Sequence, residues 1–351
     1  MANAEIFTPL GWVKMEKLKT DDFVYSKDKT NNLIPAKVRS NKIHRADMIE
    51  TGDGKTLPIF YTLPTKTRKE HPMIIKNWGA LTMGGKRVYL DMFLNWTGKD
   101  FVFTLPPTSY EMPHGGVKTL NNSINIEGIN FARFLGWYIS EGCFDGKYFC
   151  ITQSAKSIYN NEIRRVLKSC GLNFTEKISK AKEITYSVGN KNLKEWLLKE
   201  CYVGGHTAHF KKVPDVIKNA TPKIISAFLE AYNHGDGHIH KGERIYSTSS
   251  KLLADDIFTL ILKTGTIPSL KLKDKKGSHG YIHGRKITRT VDSYIISELK
   301  EKFTLLDSTT TKRYGADVHN LEIEGETKLY MIRFPDTRPF FVRGGTFPIT
   351  I

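Results

Sequence analysis

At 351 residues, with 40% hydrophobic and 11% aromatic content, the chain is long enough for two or three globular domains and is not a disordered one. Its formal charge of +17 points to a polyanionic partner, nucleic acid above all, rather than to a generically basic surface. A membrane span is excluded because no apolar run approaches roughly 18 residues. The N-terminus does not read as a signal peptide, and Cys143, Cys150, Cys170 and Cys201 fit no CxxC or Cys/His pattern, so reduced thiols in an intracellular protein are expected.

In chain order, residues 1–125 read as short strands broken by turns, as in "AEIFTPLGWVKMEKLKTDDFVYSKD". From 126 to 313 helical and strand patterns alternate. Helices are predicted at 130–141, 157–170, 191–201, 221–235, 251–264 and 293–303, with strands such as "KYFCITQ", "KEITYSV", "ERIYSTS" and "KITRTVD" between them. Residues 314–351 return to strand character. A β, α+β, β order predicts one domain inserted into another, because the last segment is too short to fold alone.

The middle segment contains a repeat. Glu141 and Asp236, Gln153 and Thr248, and Lys156 and Lys251 all share an offset of 95 residues. Each copy reads helix, strand pair, helix, strand pair, helix, over about 128–218 and 219–313, which predicts a pseudo-dimer in one chain.

Two stretches, "FLGWYISEG" (134–142) and "LEAYNHGDG" (229–237), end the first helix of each copy. Gly136 and Ser140 align with Ala231 and Gly235. Small residues four apart share a helix face and let two backbones approach. Helices packed on those faces bring Glu141 and Asp236 together, both at the helix end where the dipole disfavours negative charge. Two such carboxylates stay ionised together only beside a cation, and an oxygen-liganded divalent ion such as Mg²⁺, with DNA phosphate as a further ligand, meets that need.

The two stretches resemble the paired nine-residue motifs of LAGLIDADG homing endonucleases, with Glu141 and Asp236 at the acidic, metal-binding eighth position. The resemblance spans roughly 128–313. Phe134, Ala231, Glu230 and His234 depart from the pattern. The resemblance implies an αββαββα pseudo-twofold fold and Mg²⁺-dependent double-strand cleavage with 3′ overhangs, Mn²⁺ substituting. It also implies a long specific target site and a monomer. It places a basic residue from each half near the metals: Lys211 in "FKKVPDVI", with Lys212 as its rival, and Lys312 in "TTTKRYG". Gln153 matches a polar residue that positions water, and Thr248 fills its partner slot.

The sheets are then expected to lie along the major groove with alternate residues facing base edges. Candidates are Lys147, Tyr148, Gln153, Lys177, Lys180, Lys182, Thr185 and Ser187 in the first half. The second half offers Lys241, Arg244, Tyr246, Thr248, Lys271, Lys273, Arg285, Thr288 and Arg289.

The flanks resemble an all-β Hint (intein-type) domain, through Thr8-Pro9-x-Gly11-Trp12, the Lys19–Asp22 turn, His71 in "KEHPMII" and the strand-like "VHNLEIEGE". Arg68 stands where the family pattern has Thr. Splicing chemistry needs an N-terminal Cys or Ser and a C-terminal Asn. The chain begins Met1-Ala2-Asn3 and ends Thr350-Ile351, so as written it is not expected to splice; an intein shorn of its terminal residues, with a host protein as partner, is one alternative. A non-catalytic DNA- or RNA-binding relative, a regulator or maturase, is the other.

Overall fold

The computed structural model describes residues 5–14, 17–27, 32–51, 56–59, 87–89, 96–107, 109–111, 114–119, 122–274, 276–282, 285–299, 303–305, 310–323, 328–333 and 340–344. The chain forms two compact units: Met1–Asn95, Gly265–Lys271 and Leu299–Ile351 make one, and Trp96–Thr264 with Leu272–Glu298 make the other. The divisions fall at 95/96, 264/265, 271/272 and 298/299, where the sequence reading has 125/126 and 313/314.

The first unit draws strands from both ends of the chain. Glu5–Thr8 pairs antiparallel with both Gly11–Lys14 and Lys328–Arg333, and Phe340–Gly344 adds the outer strand. A second sheet runs Thr310–Ile323, Leu33–Thr51, Phe23–Lys27. The Thr8–Gly11 hairpin closes because Gly11 takes φ +101°, a region that favours glycine, and the Thr8 hydroxyl donates to the Gly11 carbonyl at 2.8 Å. In the Lys19–Asp22 turn, Asp22 Oδ2 accepts from the Lys19 amide at 2.8 Å. Ile6, Val24 and Val38 are buried. His71 lies outside the described residues.

The second unit starts earlier than expected because Trp96–Phe101 is fastened to the segment that joins the two copies. Trp96 Nε1 donates to the Ala220 carbonyl at 2.7 Å, Lys263 Nζ sits 3.7 Å over the Trp96 ring, and Thr221 Oγ1 donates to Asp100 at 2.8 Å. A hairpin of Val102–Leu105 with Ile124–Glu127 leads into the first central helix, Gly128–Glu141. Its apolar stripe buries Phe131, Phe134, Leu135 and Tyr138, and Phe103 stacks on Phe131 with ring centroids 3.8 Å apart. The first copy's sheet has strand order Gly142–Asp145, Tyr148–Ser154, Glu183–Val188, Phe174–Ile178, and helices Asn160–Ser169 and Lys191–Glu200 complete the copy.

The second central helix, Pro222–Asp236, starts on proline, which suits a first turn with no amide partner. The second sheet has the order Gly237–His240, Glu243–Thr248, Ser293–Leu299, Ile267–Asp274, and helix Lys251–Lys263 packs within this copy. Residues 293–299 do not form the expected helix. Ser293–Leu299 is a strand that pairs Ile296 with Tyr246, both fully buried. The run Tyr294-Ile295-Ile296 is β-branched and aromatic, and alternation across a sheet overrode its helical spacing. The first copy thus follows helix, strand pair, helix, strand pair, helix, whereas the second closes on a strand. No helix among the described residues is long and apolar enough to cross a membrane.

Candidate active site

The two central helices touch through their small residues. A Cβ at Gly136 would lie 2.5 Å from the Phe228 carbonyl oxygen and 2.7 Å from Ala231 Cβ, so only glycine permits this approach. At the other end, a Cβ at Gly235 would collide with the Ser140 hydroxyl and lie 3.0 Å from Glu141 Cγ. Ser140 tolerates this burial because its hydroxyl donates to its own helix, to Gly136 O at 3.0 Å and Trp137 O at 3.2 Å. The C-terminal turns carrying Glu141 and Asp236 therefore meet.

Their electrostatics follow. Burial first, then repulsion from Asp236, pushes the Glu141 carboxyl up to about 7, against Lys211 and a hydrogen bond from Gln153. Burial pushes Asp236 up to about 6, with Lys211 opposing. Gln153 Nε2 donates to Glu141 Oε1 at 3.3 Å, and the Gln153 oxygen accepts from the Ser154 amide at 2.8 Å.

Lys211 is buried, and its ammonium donates to Ile139 O and Gly142 O at 2.9 Å each and to Ser140 O at 3.4 Å. It thus caps carbonyls left open at the end of the first central helix, where a cation also offsets the dipole. Burial lowers its pKa, with Asp236 foremost among the groups that oppose this. Its backbone is held by Ser250 Oγ, which donates to Lys211 O at 2.6 Å, and the next residues by Val213 N donating to the buried Asp256 carboxylate at 2.8 Å. Lys212 is only half-buried. Lys312 lies in strand Thr310–Ile323 of the β unit, opposite Glu50, and its side chain is outside the described residues.

Two oxygen-donor carboxylates whose charges oppose each other, in a half-buried position beside a lysine, fit a hard divalent cation. Two protein ligands out of about six leave room for phosphate and water oxygens. Among the described residues no group of three or more His, Cys, Asp or Glu forms a metal site, so the pair is not a closed protein cage.

The outward faces of the sheets are set by register. In the first copy, Phe149, Ile151, Ile184 and Tyr186 are buried, and Tyr148, Thr152, Lys177, Thr185 and Ser187 take the opposite face. Lys147, Lys180 and Lys182 lie in turns, Lys182 at φ 60°. In the second copy the expected parity is inverted for Arg244 and Tyr246. Tyr246 is fully buried with its hydroxyl on Glu298, and Arg244, on the same face, pairs with Glu298 at 3.6 Å. Thr248 shares that inner face, as Gln153 does in the first copy, and its hydroxyl accepts from the Ser250 amide at 3.1 Å. The outward positions are Glu243, Ile245 and Ser247, which the sequence reading missed. The single signal for them was the aromatic Tyr246, whose burial fixes the alternation. Lys271 and Lys273 are exposed beside buried Leu270, Arg289 pairs with Asp274 at 3.6 Å, and Lys241, at φ 50°, and Thr288 are exposed. Arg285 begins the strand Arg285–Thr288, its side chain outside the described residues.

Comparison with known proteins finds a DNA polymerase of Thermococcus litoralis, 31% identical over 250 residues, covering 69% of this chain and 14% of that protein. A DNA polymerase of Thermococcus aggregans is 32% identical over 236 residues, covering 64% and 12%. The chain therefore spans a small fraction of these relatives' length. Among solved structures, variants of the homing endonuclease I-DmoI superpose at TM-score 0.35 and 15% identity, over 49% of this chain and 89% of that one. The homing endonuclease I-WcaI bound to its DNA recognition sequence gives TM-score 0.30 and 14% identity over 49% and 76%. The model of the LAGLIDADG-like domain family matches residues 223–303, the copy whose central helix ends at Asp236.

Proposed function

We propose that the chain is an intein-derived, site-specific DNA endonuclease that hydrolyses one phosphodiester in each strand with a divalent metal, Mg²⁺ by preference. The observation that carries this reading is the meeting of Glu141 and Asp236 at the ends of two glycine-packed helices. The LAGLIDADG-like match over 223–303 and the charge of +17 support it. A Hint-type host is supported by a β unit that draws strands from both ends of the chain, with the sequence of the second unit between them, and by relatives that are far longer polymerases.

Glu141 and Asp236 would hold the metal, which when bound supplies a Lewis acid for a phosphate oxygen and lowers the pKa of a coordinated water. Gln153 fixes the Glu141 carboxylate by its amide, and its own oxygen is held by the Ser154 amide, so its rotation is set before substrate arrives. Lys211 keeps the negative end of the first central helix from raising the carboxyl pKa values further. In this reading it organises the site electrostatically, since three carbonyls occupy its ammonium. Base edges face the outward residues of each sheet, while turn lysines meet phosphates and give salt-dependent affinity.

The test is cleavage of a randomised duplex library with Mg²⁺, followed by sequencing of the cut ends. Recovery of one long motif, lost in Glu141→Gln and Asp236→Asn while DNA binding is retained, is the expected result. Binding without cutting by the wild type would assign a non-catalytic DNA-binding role instead.

A further inference from the structure

His234 stands two residues before Asp236, in a turn that the acids alone do not explain. Its Nδ1 lies 2.9 Å from Glu162 Oε2, and Glu162 belongs to the first turn of helix Asn160–Ser169 in the first copy. The other Glu162 oxygen accepts from Trp137 Nε1 at 3.1 Å, and Trp137 sits one turn before Glu141 on the first central helix. One carboxylate therefore ties both central helices at the turn preceding the acids. Tyr159 covers the imidazole as a stacked ring, centroids 4.2 Å apart and 12° between planes. Side-chain exposures of 23% for His234 and 22% for Glu162 leave this pair largely shielded from water. Burial opposes ionisation of Glu162, yet the bonds from His234 and Trp137 and the nearby Arg133 charge outweigh it and hold its carboxyl below the usual range.

The repeat supplies an internal control. At the offset of 95 residues His234 corresponds to the buried Ile139; the helices that follow align with one residue less, at their closing Gly171 and Gly265, so Glu162 corresponds to the buried Asp256, whose carboxylate accepts from the Val213 amide. An isoleucine satisfies packing at the matching position of the first central helix, so the His234 imidazole and its bond to Glu162 add something packing does not need. A hydrogen-bonded pair fixes direction as well as distance, whereas apolar contacts allow neighbouring helices to slide. Metal ligands are sensitive to that difference, and so is in-line attack.

We propose that His234 and Glu162, with Trp137, are positioning residues that lock the end of the second central helix against the first copy and thereby set Asp236 relative to Glu141. The inference rests on the reading of those two acids as the metal ligands.

The test compares full-length wild type with His234→Asn and His234→Leu, side chains of similar size. Asparagine keeps a donor where the imidazole Nδ1 lies, and leucine does not. Mn²⁺ binding is read by isothermal titration at pH 8, melting in EDTA reports stability, and cleavage of the substrate recovered by library selection gives kcat and KM. His234→Leu is expected to weaken Mn²⁺ binding about tenfold, the scale for loss of a group that orients a metal ligand. It should lower kcat with KM for DNA unchanged, and combination with Glu162→Leu should add nothing. His234→Asn should restore Mn²⁺ affinity and kcat. Equal Mn²⁺ affinities for Asn and Leu, with only melting affected, would overturn the proposal and leave a plain structural staple. Mn²⁺ binding that survives Glu141→Gln and Asp236→Asn together would refute the acid assignment itself, and the positioning role with it.

Discussion

The two copies meet the same packing demand with different residues around their acids. In the first, Glu141 is bonded by Gln153, and Lys211 caps the end of its helix; in the second, Asp236 has Thr248 at the matching slot, whose hydroxyl accepts from the Ser250 amide. The first copy closes with helix Lys191–Glu200 and the connection that carries Lys211, whereas the second runs out along strand Ser293–Leu299. What the copies share is what two helices need in order to touch. What they do not share is the electrostatic support, which comes from the first copy yet opposes the raised pKa of both acids. One buried lysine thus serves a pseudo-symmetric pair from one side.

The shared part breaks with the largest effect. Gly136→Val forces a branched side chain onto the Phe228 backbone and Ala231, where nothing flexible yields. A loss above about 4 kcal/mol, or failure to fold, is expected in urea denaturation. The facing change in the other copy, Ala231→Gly, removes only a methyl and costs about 1 kcal/mol through helix propensity and lost contact. Equal losses would show that the two small faces are not asymmetric in their tolerance.

The unshared part is tested by Lys211→Met, which keeps the length and removes the charge. Three carbonyls lose their donor and two acids lose their nearest compensation. A loss of about 3 kcal/mol is expected at pH 8. At pH 5, with Glu141 and Asp236 protonated in the folded state, the loss should be visibly smaller, because only the carbonyl bonds remain to be missed. A loss independent of pH would confine Lys211 to helix capping.

Much of this was legible in the sequence, and for a physical reason: close helix contact demands small residues at fixed spacing, so Gly136, Ser140, Ala231 and Gly235 announce both the interface and the acids it delivers. Gln153 was legible through the repeat offset. Signals that depend on the third dimension were not. The capping of three carbonyls by Lys211 depends on a connection folding back 70 residues downstream, and its sequence says only that a lysine precedes Val213-Pro214. Glu162 reads as an ordinary first-turn acid, and His234 reads as a blemish in a motif, until the fold brings them to 2.9 Å. The 293–303 segment failed because Ile295-Ile296 suits either period, and its sheet partner Tyr246 decides the matter. The same residue decides which of Arg244 and Ser247 faces outward. His71 and the Lys312 side chain lie outside the described residues.

A modest effect is the most telling about the acid pair, because it runs opposite to the usual direction of damage. Glu141 has its folded pKa raised from 4.5 to about 7, so between those values the folded state holds a proton that the unfolded state has released. Stability of the metal-free protein therefore falls as pH rises from about 4.5 to about 7 and is flat beyond, with Asp236 adding to the same slope from its own lower range. Glu141→Gln removes that loss along with the repulsion on Asp236. Because the carboxyl is only half-buried, the full shift is discounted for solvent, and the variant should be more stable than wild type by about 1–2 kcal/mol at pH 8 and equal to it near pH 4. Melting curves in EDTA across that range measure the difference. Excess Mg²⁺ at pH 8 should then raise the melting temperature of wild type and not of the variant, since an ion that binds only the folded, ionised pair stabilises it by mass action. A variant that is less stable than wild type at pH 8 would mean that Gln153 and Lys211 already satisfy Glu141. The carboxylate would then be a settled structural group, with no unmet charge left for a cation to neutralise.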